Sequence, residues 1–149
     1  MAAAVLLACV VAVSVALSAG HMQNQHAERG QYAMALAESM MELVLSYPYD
    51  DPQGSSQLGP EAGEVGLVGF DNADDFHGYV DSGGPRKDPS GEAYPDGYGV
   101  LTCTVSAAYI SEALGGLSKD VTGLTVSVVV QDARGGVWTL TRFIPKPAD

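Results

Sequence analysis

The side chains best suited to chemistry lie close together, in the segment Phe70-Asp-Asn-Ala-Asp-Asp-Phe-His-Gly-Tyr79, with Asp81 just beyond it. Asp71, Asn72, Asp74, Asp75 and Asp81 supply the hard oxygen ligands that calcium takes, and Asp71, Asp74 and Asp75 form the candidate metal set. The spacing is not that of an EF-hand and the terminal glutamate is missing, so a solvated or capping acidic loop is the default expectation. His77 sits among these acids, where an imidazole could titrate or bind metal; a hydrogen-bonded loop histidine is the simpler reading. His21 and His26 are five apart and do not share a helical face. The chain has no Gly-x-Ser-x-Gly elbow, no phosphate-cradling Gly-x4-Gly-Lys-Ser/Thr, no His-Glu-x-x-His and no cysteines at zinc spacing. The expectation is therefore a protein that is not an enzyme, with no small-molecule substrate evident and no cofactor beyond calcium.

Charge narrows the partners. The formal net charge is −11 over 149 residues. Between Asp50 and Asp96 eleven acidic residues face only Arg86 and Lys87. Nucleic acid is excluded, because its binding rests on phosphate neutralisation by Lys and Arg. Cys9 lies in an apolar run and Cys103 in an expected strand, so a disulfide between them is not expected.

The elements that must position the acidic segment begin with that apolar run. Residues 2–19 (AAAVLLACVVAVSVALSA) carry no charged side chain, and one bilayer crossing needs roughly 17 to 25 apolar residues. The first proline is Pro48, and residues 31–46 are rich in the helix formers Ala, Leu, Met and Glu. The pattern predicts one helix over Ala2–Ser46, about 68 Å long at about 1.5 Å per residue. Gly20 and Gly30 are its weak points, where a bend or local melting is expected. Its outer half is two-sided: Tyr32, Leu36, Met40, Leu43 and Tyr47 make an apolar stripe, and Gln31, Ala35, Glu38 and Glu42 a wetter face. Pro48 ends it.

Residues 48–100 hold six of the eight prolines and few apolar runs. They read as a long excursion with little regular structure, packed through Tyr49, Phe70, Phe76, Tyr79, Tyr94 and Tyr98, with a short strand at Val65–Val68 and a turn at Tyr94–Gly97. After residue 100 the period changes to two. Leu101, Cys103, Val105 and Ala107 share one face, as do Leu124, Val126, Val128 and Val130; Val137–Ile144 follows across a hairpin at Asp132–Gly136. In that third strand Trp138, Leu140 and Ile144 share their face with Arg142, which leaves its inward side open. A helical turn is expected around Glu112–Leu114. A small sheet with one apolar face needs a cover, and the stripe Tyr32, Leu36, Met40 and Leu43 is the long amphipathic element able to provide it. The expected fold is α+β, divided as residues 1–27 (apolar membrane and assembly helix), 28–47 (its amphipathic continuation), 48–100 (acidic Gly/Pro-rich loop) and 101–149 (antiparallel sheet).

This order resembles the type IV pilins and the pseudopilins of type II secretion. The likeness is carried by the helix-to-loop passage YAMALAESMMELVLSYPYDDP, by Gly59-Pro60-Glu61, by the Phe70–Tyr79 segment and by the closing three strands. It implies a pilin-like structural subunit held in the bacterial inner membrane by a single pass. The sheet domain would be periplasmic, and in a filament the subunit would meet copies of itself or other pilin-like subunits. It also implies packing along the stem, for which Val5, Leu6, Val10, Val13 and Leu17 are the expected contacts. One feature departs from the pattern: Val5 stands where those relatives carry glutamate, and no basic leader precedes it. Three accounts fit: a leader encoded upstream of Met1, a minor subunit that dispenses with the glutamate, or a pilin-shaped anchor. The first agrees best with the positive-inside bias. Readings of other classes are a membrane-anchored monomeric binding domain and a domain secreted after cleavage near Ser18-Ala19-Gly20.

Overall fold

A computed structural model describes residues 2–55, 57–82, 96–112 and 120–147, with the side chains of residues 2–10, 96 and 112 left out. Helix α1 (Ala2–Leu45) is unbroken over 44 residues. Local melting at Gly20 or Gly30 does not occur, since the helix runs through both. At Gly30 the helix passes beside Trp138: a methyl group added there would sit 3.4 Å from the ring nitrogen, an ordinary van der Waals contact. The helix closes as Ser46 N–H bonds to the Glu42 and Leu43 carbonyls and Tyr47 N–H to that of Val44. Ser46 Oγ adds a bond to Leu43 O at 2.6 Å, and Pro48 follows.

The sheet is antiparallel with its strands in chain order: β1 (Val80–Asp81), β2 (Leu101–Glu112), β3 (Val121–Asp132) and β4 (Val137–Pro145). Alternation in the sequence predicts its inner face correctly. Leu101, Cys103, Val105 and Ala107 of β2 and Leu124, Val126, Val128 and Val130 of β3 are all buried. On β4 the open question resolves in favour of the larger side chains: Trp138, Leu140 and Ile144 pack on the core, while Arg142 on the same face is exposed. The opposite face carries hydroxyls through its middle, with Ser127 Oγ and Thr141 Oγ1 bonded at 2.9 Å. In the β3–β4 hairpin, Asp132 Oδ1 accepts the Arg134 and Gly136 amides, each at 2.8 Å. Gly135 takes the positive φ (91°) that the turn needs. The Gly136 bond first, and then that from Arg134, keep the Asp132 carboxyl below its ordinary pKa against the opposing effect of burial.

The helix covers the sheet, but on a different line from the stripe read in the sequence. Leu36 and Met40 are buried as expected, whereas Tyr32 and Leu43 are only half-buried at the margins. The centre of the contact is Ala33, Ala37, Met41 and Val44, a face turned by about 100°, one residue on from the expected stripe. The small side chains of Ala33 and Ala37 let the helix axis come down onto the valines of β3, and larger residues fill the widening gaps on either side. Tyr32 stacks at 4.9 Å on Tyr98, and its hydroxyl donates to Glu28 at 3.1 Å.

Three local expectations are corrected. Val65–Val68 is not a strand: Gly63 and Gly66 take positive φ (114° and 63°), which breaks alternation, and Val65 and Val68 are exposed. Asp96–Val100 forms a 3-10 helix rather than the end of a turn, and Tyr94 and Pro95 lie outside the described residues. Strand β2 continues through Glu112, so no helical turn begins there; Leu114 lies outside the described residues.

Candidate functional site

Two regions carry candidate function: the free half of the helix and the acidic loop. Along the free half the described apolar side chains stand in solvent. Val13 is 59% exposed and Leu17 64%, with Val11, Val15 and Met22 similar. Ser18 Oγ donates to the Ser14 carbonyl at 2.9 Å, so that hydroxyl is satisfied within the helix itself. Val5, Leu6 and Val10 have side chains outside the described residues. Among the described residues no helix is long and apolar enough to cross a membrane; the side chains of residues 2–10, which make up the first half of the apolar run, are not among them.

The acidic loop is held by an aromatic anchor. Phe76 is fully buried, with ring centroids at 5.0 Å from Phe70, 5.1 Å from Tyr47 and 6.4 Å from Tyr79. Around it the chain turns on its own polar groups. Asn72 Oδ1 accepts the Asp74 and Asp75 amides at 2.8 and 3.1 Å, and Asp75 Oδ2 accepts those of Asp71 and Asn72 at 2.9 and 3.2 Å. Such short-range side-chain-to-backbone bonds are why Asn and Asp favour turns. His77 then extends the sheet beyond β1. Gly78 N–H donates to Val105 O, Val105 N–H donates to Tyr79 O, and the imidazole Nδ1 meets the Ala107 backbone, 3.1 Å from its nitrogen and 2.8 Å from its oxygen. His77 is thus the hydrogen-bonded loop histidine that the sequence favoured.

The structure separates the three aspartates read as a metal set. Asp74 accepts a hydrogen bond from the Tyr109 hydroxyl. Asp71 Oδ2 accepts from Gln53 Nε2 at 2.8 Å. Asp75 alone joins a convergent group, and its companions are Glu61 and Glu64, whose ligand atoms and its own all lie within 4.8 Å of one another. The glutamates come from the turn Glu61-Ala62-Gly63-Glu64, closed by Glu64 N–H to Glu61 O at 3.1 Å and Glu61 N–H to Glu64 Oε2 at 2.8 Å. Sequence reasoning missed this pair. Its signal is two acids three apart around a glycine, ten residues upstream of the aspartates.

Burial first, then the charges of Asp75 and Glu61, raise the Asp74 carboxyl above its ordinary pKa against the bonds from Tyr109 and Asn72. Glu64 is also raised. The Glu61 amide bond opposes the shift, but burial, the adjoining Glu61 carboxyl, Asp75 and Asp71 together outweigh it. Burial, then the bond to Asp74, pushes the Tyr109 phenol far up. A carboxyl with a raised folded-state pKa contributes stability that is full below the unfolded pKa and is lost as pH rises through the folded one. In buffer free of divalent cations, the melting temperature of the protein is therefore expected to fall, relative to Asp74→Asn, as pH rises from about 4. Parallel melting curves for the two proteins over pH 4 to 7 would contradict this.

Compared with models of protein families, with curated proteins and with solved structures, the chain gives no match.

Proposed function

We propose that the chain is a pilin-like structural subunit of a type IV pilus or type II secretion pseudopilus, assembling through its N-terminal helix. The observation that carries this reading is the division of one continuous helix. Its outer half is buried on a sheet, while its other half keeps Val13, Leu17 and their apolar neighbours exposed. Exposed apolar surface on this scale calls for lipid or protein around it. The uncharged run 2–19 fits both, with alanines and serines permitting close helix approach. Lipid holds the subunit in the inner membrane before assembly, and copies of the same helix replace lipid afterwards. A head-to-tail contact that does not close yields a helical fibre.

The test is a photo-crosslinking residue at Leu17 in the full chain, expressed in the cell that makes it. A ladder at multiples of 15.4 kDa is expected. A single membrane-bound band would instead favour the anchored monomer, and a mature protein beginning near Gly20 the secreted domain; either result removes the filament reading.

A further inference from the structure

The acidic loop contains a group of oxygens that are left unsatisfied among the described residues. Asp75 is 0% exposed. Its Oδ2 is taken by two amides, whereas its Oδ1 has no hydrogen-bond donor. Both side-chain oxygens of Glu61 are likewise buried without a donor. A buried charge is tolerated when it is paired or when it coordinates a metal. Among the described residues, the charges that act on Glu64 come from Asp75 and Asp71, and those on Asp74 from Asp75 and Glu61, all of them acidic.

The geometry points to a single calcium ion bound by Glu61, Glu64 and Asp75, bridging the glycine-containing turn at 61–64 and the turn at 71–75. Two oxygens on opposite sides of a calcium ion with bonds of about 2.4 Å lie about 4.8 Å apart. The three ligand atoms of the cluster fall within that span of one another. The donor set is all carboxylate, without imidazole or thiolate, which selects a hard cation over zinc or copper. Glu64 is only half-buried, so water can approach the ion from its side and complete the six to eight ligands that calcium takes. The turn is built to present them: Gly63, at φ 114°, reverses the chain between the two glutamates. Asp75 is held rigidly by the amides it caps. The ion would offset a negative charge excess that no basic side chain among the described residues is shown to compensate. This inference does not rest on what the stem assembles with.

The experiment uses the full chain in detergent, stripped with EDTA, dialysed and titrated with calcium chloride by calorimetry and thermal melting. One equivalent is expected to bind, and at a hundredfold excess over Kd the melting temperature is expected to rise by about 10 °C. The double variant Glu61→Gln/Glu64→Gln is expected to bind at least about tenfold more weakly, which is about 1.4 kcal/mol. Its melting temperature without calcium should equal or exceed that of the unaltered chain, since a repulsion has been removed. Glu38→Gln/Glu42→Gln, on the exposed helix face, is expected to bind as the parent does. The proposal is overturned if the parent shows no saturable uptake, or if the double variant binds with parental affinity.

Discussion

Replacing Phe76 by alanine is expected to bring the urea midpoint down by roughly 2 M, from a loss of about 4 kcal/mol and a slope of about 2 kcal/mol per M. The side chain is fully enclosed, and three aromatic rings meet it edge-on. Each such pair adds about 0.5–1.5 kcal/mol beyond the area buried. Truncation leaves a cavity where the end of α1, the acidic loop and the sheet come together. Domains of this kind are stable by about 5–15 kcal/mol in all, so one substitution removes a large share. The effect also spreads along the chain, because Phe76 stands between Asp75 and His77. Without its ring, the turn capped by Asp75 and the His77 bond to β2 lose their shared support. Phe76→Leu fills much of the space and is expected to lose less than half as much. Equal midpoints for the alanine variant and the parent would mean that the loop is not part of the cooperative unit.

The second large effect belongs to the stem. Arginine in place of Val13 puts a guanidinium near the middle of the run 2–19, where insertion of that residue type costs about 3 kcal/mol, or about a hundredfold in the partition between membrane and water. Val13 is more than half exposed and is not among the described residues that pack on the core, so the melting of the sheet domain should not change. Val13→Arg is expected to leave the membrane pellet on alkaline extraction and to yield no filaments, with folding intact. Val65→Arg, on an exposed loop position, serves as the matched control. A Val13→Arg protein that pellets and assembles like the parent would remove the ground for placing the stem in lipid or in a fibre.

What could be read in advance follows from which interactions are periodic. The inner faces of β2 and β3 were legible because strict alternation of Leu, Cys, Val and Ala against Thr and Ser leaves one face fit to be buried. Helix length was legible because no proline lies between Ala2 and Leu45 and Pro48 ends it. The rotation of that helix was not. Hydrophobicity points at Tyr32 and Leu43, whereas shape selects Ala33 and Ala37, and a search for oily residues passes over alanine. In the loop the chemistry was visible but the partners were not. Glu61 and Glu64 reach Asp75 through positive-φ glycines and side-chain-capped turns, which carry no period. His77 was recognisable as a bonded histidine, yet its role as a strand extension depends on the register of β1 with β2.

The placing of β4 has a further consequence. It is the last strand of the sheet, and its outer side has no hydrogen-bonded neighbour among the described residues. Nine residues of open backbone invite a foreign strand and, by repetition, amyloid-like stacking. Here the strand ends on Pro145, with Lys146 and Pro147 beyond it and the Arg142 guanidinium exposed along its length. A proline offers no amide to an incoming chain, and like charges on two such strands repel. Crowded copies of the domain are thereby discouraged from zipping together through their backbones.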